Sequence, residues 1–240
     1  MTKDQTTTRS TTAIAGFVVA LSVVLVAYSS TAQFIPEFNA LYVPLSLAAA
    51  AGLAFLALKV GLEPADLGLE RATLRTGLSW GLKVAAVVAV ALAVAVAVPA
   101  LHPLLDDARI EGIGPGLLAY RALIRIPLGT ALFEEFAFRG VLFGAWSRFT
   151  SPWRAAAGSS LVFGLWHVRP TIDLLDANGL AVSSIARLAV VAAAVMLTAI
   201  AGYVFCLLRI RSRSLLAPFI AHTAINSLAI VAAYIVVGGS

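Results

Sequence analysis

The sequence predicts an all-α protein: a polytopic membrane helix bundle of about seven transmembrane helices, with seven to eight compatible with the pattern. Three observations carry this. The chain of 240 residues is 60% hydrophobic and only 12% charged, with a mean hydropathy of +0.95, whereas soluble domains are nearer half apolar and a quarter charged. Stretches 13–30 (AIAGFVVALSVVLVAYSS) and 84–101 (VAAVVAVALAVAVAVPAL) hold no charge, and each suffices to cross a hydrocarbon core that takes about 20 helical residues. Finally, the apolar runs are continuous rather than alternating. Lipid leaves only helices or closed barrels able to satisfy their own backbone groups, and an unbroken apolar run is not barrel patterning.

Taken in order, the spans are expected at 13–30, 41–61, 80–101, 121–147, 155–168, 184–208 and 214–237. Lys3 and Arg9 ahead of the first run, with Ser30-Thr31-Ala32 behind it, also resemble a signal peptide. The run is long for such a segment, so a retained first span is expected. After Gly61 the stretch EPADLGLERATLRTG reads as interfacial, and 102–120, with its prolines and glycines, as a loop carrying a short surface helix. Arg169-Pro170 is expected to end the fifth span. Asp176-Ala177-Asn178-Gly179 signals a turn, and Ser183-Ser184 a helix cap. The expected division is 1–116, N-terminal transmembrane helices and interfacial loops, and 117–237, a second membrane domain.

Charge sets orientation. With a cytoplasmic N-terminus, eleven Lys and Arg residues fall on inside segments and five (Arg109, Arg121, Arg125, Arg169, Arg187) on outside ones, leaving Arg139 within the membrane. By the positive-inside rule the N-terminus is cytoplasmic and the C-terminus outside. The protein is thus expected to be integral and multi-pass, in the cell membrane, with lipid as its surroundings. The net charge of +5 is spent on loops that orient helices and is no nucleic-acid footprint. The single Cys206 excludes an internal disulfide and any paired-cysteine metal site, and reads as a small buried residue.

Few strongly polar groups lie inside the spans: Glu134, Glu135 and Arg139 in ALFEEFAFRG, His167 closing FGLWH, and His222 and Asn226 in HTAIN. Each is costly at membrane depth and should face the bundle interior or a water cavity. Glu135 and Arg139 are four apart with the acid N-terminal, the favourable order for a helical ion pair. Glu134 is rotated by about 100° and lacks such a local partner. A poorly solvated carboxylate without a paired charge is the type of group that takes a proton from water. His167 and His222 can donate to an oxyanion, hold a water or bind a metal, and Asn226 can orient or stabilise. A purely structural reading stands beside each role: an ion pair for Glu135–Arg139, interhelical hydrogen bonds for the histidines, packing for Phe163 and Trp166.

In this order and on successive apolar helices, EExxxR at 134–139, FxxxH at 163–167 and HxxxN at 222–226 resemble the CPBP family, which comprises type II CAAX prenyl proteases and abortive-infection-like membrane proteases. The resemblance covers roughly 117–235. It implies an intramembrane endopeptidase with Glu134 as the base activating water. Glu135 and Arg139 would support it, and His167, His222 and Asn226 would complete the site. The implied substrate is a peptide or protein, in some relatives a prenylated C-terminal CAAX segment. No cofactor is required by this reading. A zinc ion held by Glu134, His167 and His222 stays open, and then another group must serve as base.

Other proteases fit less well. There is no HExxH and no GxGD, and Gly158-Ser159-Ser160-Leu161 lacks the closing glycine of GxSG. A non-catalytic membrane immunity or scaffold protein is the alternative from another class. A small transporter is disfavoured, since no inverted repeat is visible.

Overall fold

The structure is a computed structural model that describes residues 3–34, 38–179 and 183–238. The side chains of 3–10, 33 and 109 lie outside the described set, and with them Lys3, Arg9 and Arg109 of the charge count. All regular structure among the described residues is helical. We label the helices α1 (Lys3–Thr31), α2 (Phe38–Lys59), α3 (Pro64–Leu67), α4 (Leu74–Ala97), α5 (Pro115–Ser147), α6 (Pro152–Trp166), α7 (Val168–Ala177), α8 (Ser184–Ser212) and α9 (Leu216–Gly238).

Six segments are long and apolar enough to cross a membrane: Thr11–Thr31, Phe38–Lys59, Pro64–Ala97, Pro115–Ser147, Ser184–Ser212 and Leu216–Gly238. The expected fifth span is the exception. It is a broken pair, α6 and α7, hinged at His167, whose backbone sits at φ −86°, ψ 0°. Contacts place the two ends of this pair on opposite faces of the bundle. On one face Arg148 bonds the Gly61 carbonyl at 2.8 Å and Arg209 those of Ala65 and Asp66 at 3.1 and 3.0 Å. On the other, the Ala108 amide donates to the Asn178 side chain at 3.1 Å. The chain therefore passes from face to face between 152 and 178. Arg169-Pro170 does not end the helix as expected; α6 stops at Trp166, and Pro170 lies in the first turn of α7, where a missing N–H costs little.

The bundle is apolar outward and polar inward. Val87 and Ile185 are 70% and 83% exposed, whereas Glu135 and Arg139 are fully buried. Such an apolar exterior is a lipid-facing surface. Small residues permit close helix contact, as expected where lipid offers no hydrophobic drive between helices. In α4, Gly77 and Gly81 lie so close to Ser214 and Ile220 of the α9 region that an added Cβ would come within 2.5 and 2.8 Å of them. Ser151 and Ser183 cap α6 and α8, accepting from the amides of Arg154 and Ala186.

The helix that matters most, α5, is not uniform. Two wide π-helical stretches, Arg121–Ala131 and Phe136–Leu142, flank one ordinary α-turn, Leu132–Glu135. Pro127 lies inside the first. A π-turn directs the Ala122 carbonyl toward residue 127, which has no N–H to offer. Ser227 of α9 supplies the missing donor, its hydroxyl reaching the Ala122 carbonyl at 2.7 Å. In the second stretch the Ser159 hydroxyl donates to the Phe138 carbonyl at 2.7 Å. Irregular helix persists here because neighbouring helices satisfy its backbone, and both glutamates ride on the regular turn between.

Candidate active site

Glu135 is the hub. Its Oε1 accepts from Arg139 Nη1 at 3.0 Å and from His222 Nδ1 at 2.8 Å. The first bond is the ion pair that the four-residue spacing predicts. Arg139 is fully enclosed, with its guanidinium over the rings of Phe163 at 4.0 Å and Phe205 at 5.0 Å. Gly202 of α8 makes the room; a Cβ there would lie 2.9 Å from Arg139 Nη2. Such desolvated cation–π contacts are worth about 2 kcal/mol each.

His222 lies between the two acids. With Nδ1–H donated to Glu135, its Nε2 faces Glu134 Oε2 at 3.9 Å. The imidazole stacks on Phe205 with centroids 5.2 Å apart, which fixes its plane. Glu134, though nearly buried, has a partner that local spacing did not reveal: Trp166 Nε1–H donates to its Oε1 at 3.2 Å. Trp166, expected to serve packing, thus touches the candidate base. Its ring stacks on Tyr28 of α1 at 5.8 Å and packs on Phe133 and Phe138, and Ser29 donates to its carbonyl. The first helix, which carries no motif, braces the site.

His167 occupies the break between α6 and α7. Its Nδ1 bonds the Phe163 carbonyl at 2.8 Å, leaving Nε2 outside that bond. The Phe163 ring separates the two histidines, 4.5 Å from His167 and 6.3 Å from His222 between centroids. Asn226 lies one turn beyond His222, half-buried, and hydrogen-bonds no described side chain. Bonds and ring contacts therefore link Glu134, Glu135, Arg139, Trp166, His167 and His222, while Asn226 joins them by helical register alone.

Among the described residues no three His, Cys, Asp or Glu side chains are gathered closely enough to hold a metal ion. The zinc set Glu134, His167 and His222 is thus not assembled in this arrangement. Ser159 and Ser160 bond backbone carbonyls, at 2.7 and 2.6 Å, rather than a histidine. Cys206 is fully buried, as expected.

Residues 116–228 match the family model described as type II CAAX prenyl endopeptidase Rce1-like. This segment is similar to that family. The match takes in every residue of the cluster from Glu134 to Asn226 and supports a CAAX-type intramembrane protease. Six helices long and apolar enough to cross a membrane are those of an integral, multi-pass membrane protein. No curated protein and no solved structure matches the chain.

An apolar cavity of about 440 Å³ borders the cluster at Glu135. It is walled by Ala50 and Ala54 of α2, by Leu69 and Leu74, and by Leu215 and Phe219, and Glu135 contributes to its lining.

Proposed function

We propose that the chain is an integral membrane endopeptidase in which Glu134 activates water. The observation that carries this is the asymmetry of its carboxylate. Oε1 is held by the Trp166 indole, while the buried Oε2 has no hydrogen-bond partner and faces His222 across 3.9 Å. A water admitted beside these two atoms would be held by both.

Glu134 Oε2 takes a proton from this water as its oxygen attacks the scissile carbonyl. The resulting oxyanion receives the Asn226 amide N–H, and an N–H from His167 when that imidazole is doubly protonated. The C–N bond then breaks as Glu134 returns its proton to the leaving amine, and the products are a carboxylic acid and a free amine. Glu135, bonded to Arg139 and His222, fixes the tautomer that turns His222 Nε2 toward the water. Arg139 keeps Glu135 charged and immobile.

The finer reading is that the substrate is a prenylated CAAX segment. Its support is the family resemblance together with the apolar cavity beside Glu135, whose volume and lining suit an isoprenoid chain. In this reading 117–237 is the catalytic unit and 1–116 a brace. The protein sits in the cell membrane with its N-terminus cytoplasmic.

The test is Glu134→Gln in purified protein with a quenched-fluorescent farnesylated CAAX peptide. Cleavage is expected to vanish while thermal stability stays near wild type. Full activity in this variant excludes Glu134 as base. A cellular phenotype unchanged by the same substitution favours the non-catalytic immunity or scaffold alternative.

A further inference from the structure

The apolar cavity beside Glu135 reaches the surface where two segments of chain meet. One runs from Gly68 to Leu74 and leads into α4; the other links α8 to α9. The Leu215 amide donates to the Gly68 carbonyl at 2.9 Å, and a Cβ on Gly77 would come within 2.5 Å of Ser214 Oγ, so the segments are fastened together. Leu69 and Leu74 line the cavity and yet are 48% and 45% exposed, which marks its open end. Glu135, fully buried, marks its inner end. Besides Glu135 the only polar side chain in the lining is Ser214, whose Oγ already accepts from the Leu216 amide at 3.3 Å. Such a space offers water few partners.

The open end is cationic. Arg71, Arg75 and Arg213 are exposed, and each stands one or two positions from a lining residue: Leu69, Leu74 and Ser214. None of the three forms an ion pair among the described residues. Asp66, the acid just before this stretch, is taken by Arg148 at 3.2 Å. Within 68–75 and 211–216 the sequence holds four arginines, Arg211 included, against one acid, Glu70. The long helix α4 also begins here, and its first turn carries Arg75 and no acid. A helix N-terminus favours an anion, and this one draws none from its own first turn.

We infer that the cavity and its cationic rim form a binding site for an anionic phospholipid. The apolar depth takes an acyl chain, between α2, α5 and α9, and the rim takes the phosphate. Arginines beside a membrane helix attract anionic headgroups, and an apolar space opening among them admits the chain of the same molecule. A volume of about 440 Å³ lies within the range of small-ligand sites, about 300–1,000 Å³. The chain end of the lipid lies toward Glu135, so this lipid and the isoprenoid of a prenylated substrate compete for one space. Anionic lipid content then sets the apparent affinity for substrate. The competition rests on the proteolytic reading above; the lipid site does not.

The test measures binding to the full-length protein in detergent by native mass spectrometry. The probes are phosphatidylglycerol, phosphatidylcholine with the same acyl chains, and glycerol 3-phosphate. Phosphatidylglycerol is expected to bind about tenfold to a hundredfold more tightly than phosphatidylcholine, and glycerol 3-phosphate not at all at matched concentration. R71Q/R75Q/R213Q is expected to erase the preference, at about fivefold per arginine, the ~1 kcal/mol of a juxtamembrane cation. Ala54→Phe narrows the cavity and is expected to weaken both lipids by about tenfold. Leu69→Trp, at the exposed end, is the second filler if the first does not fold. Equal binding of the two lipids, or equally tight glycerol 3-phosphate, overturns the site. Loss of binding with the arginine variant but with neither filler reduces it to a diffuse surface charge and overturns it too.

A kinetic arm checks the competition in nanodiscs. KM for a farnesylated CAAX peptide is expected to rise with the phosphatidylglycerol fraction in wild type and to stay constant in R71Q/R75Q/R213Q, with kcat unchanged in both. A KM indifferent to phosphatidylglycerol overturns the competition. Absence of cleavage in every sample overturns the proteolytic reading and leaves the lipid site to stand or fall on the binding data.

Discussion

Trp166 donates its indole N–H to Glu134 Oε1 across 3.2 Å, joining α6 to α5 at the carboxylate proposed as base. The bond occupies one oxygen and leaves the other toward His222. Trp166→Phe keeps an aromatic ring against Tyr28 and removes only the donor. A hydrogen bond to a charged group is worth about 1.5–3 kcal/mol, so kcat is expected to fall by at least about tenfold with KM within twofold of wild type. A rise in KM at constant kcat would place Trp166 in substrate binding instead. Loss of Tm alone, with kinetics intact, would reduce it to packing.

The Glu135–Arg139 pair predicts a different signature. Both groups are enclosed, and the guanidinium is sandwiched between Phe163 and Phe205. Removing one partner strands the other without water, at a cost of about 3–5 kcal/mol. Arg139→Leu is therefore expected to lower Tm in detergent and to abolish activity together. Gly202→Val, whose side chain meets Arg139 Nη2, should do the same by displacing the guanidinium. A stable, active Gly202→Val protein would show that Arg139 has freedom the packing denies it.

What was legible in the sequence followed from local rules. The four-residue spacing of Glu135 and Arg139 gave their ion pair, and Ser183 announced the cap of α8. Unbroken apolar runs gave the helices. The misses are long-range or cooperative. Trp166 meets Glu134 across 32 positions and is held by Tyr28 and Ser29 more than 130 positions away, and no periodicity encodes such contacts. The broken fifth span depends on His167 adopting a turn that its neighbours permit, whereas Arg169-Pro170 only looked like a terminator. Arg125, counted among the outside charges, lies inside the fourth span, over the Tyr42 ring.

Chelation separates the two mechanisms left open by the sequence. In the arrangement described, His222 spends Nδ1 on Glu135, and His167 spends Nδ1 on the Phe163 carbonyl. Each histidine keeps one nitrogen, but these and Glu134 are not gathered as a metal group. Glu134 can take the proton from water only if its Oε2 is not itself a ligand. Purified protein treated with a chelator and dialysed is therefore expected to keep its cleavage rate within twofold. Loss of activity that zinc restores would require Glu134, His167 and His222 to close around an ion. The base would then have to be another group, and Glu135, already bonded to Arg139 and His222, is badly placed to serve.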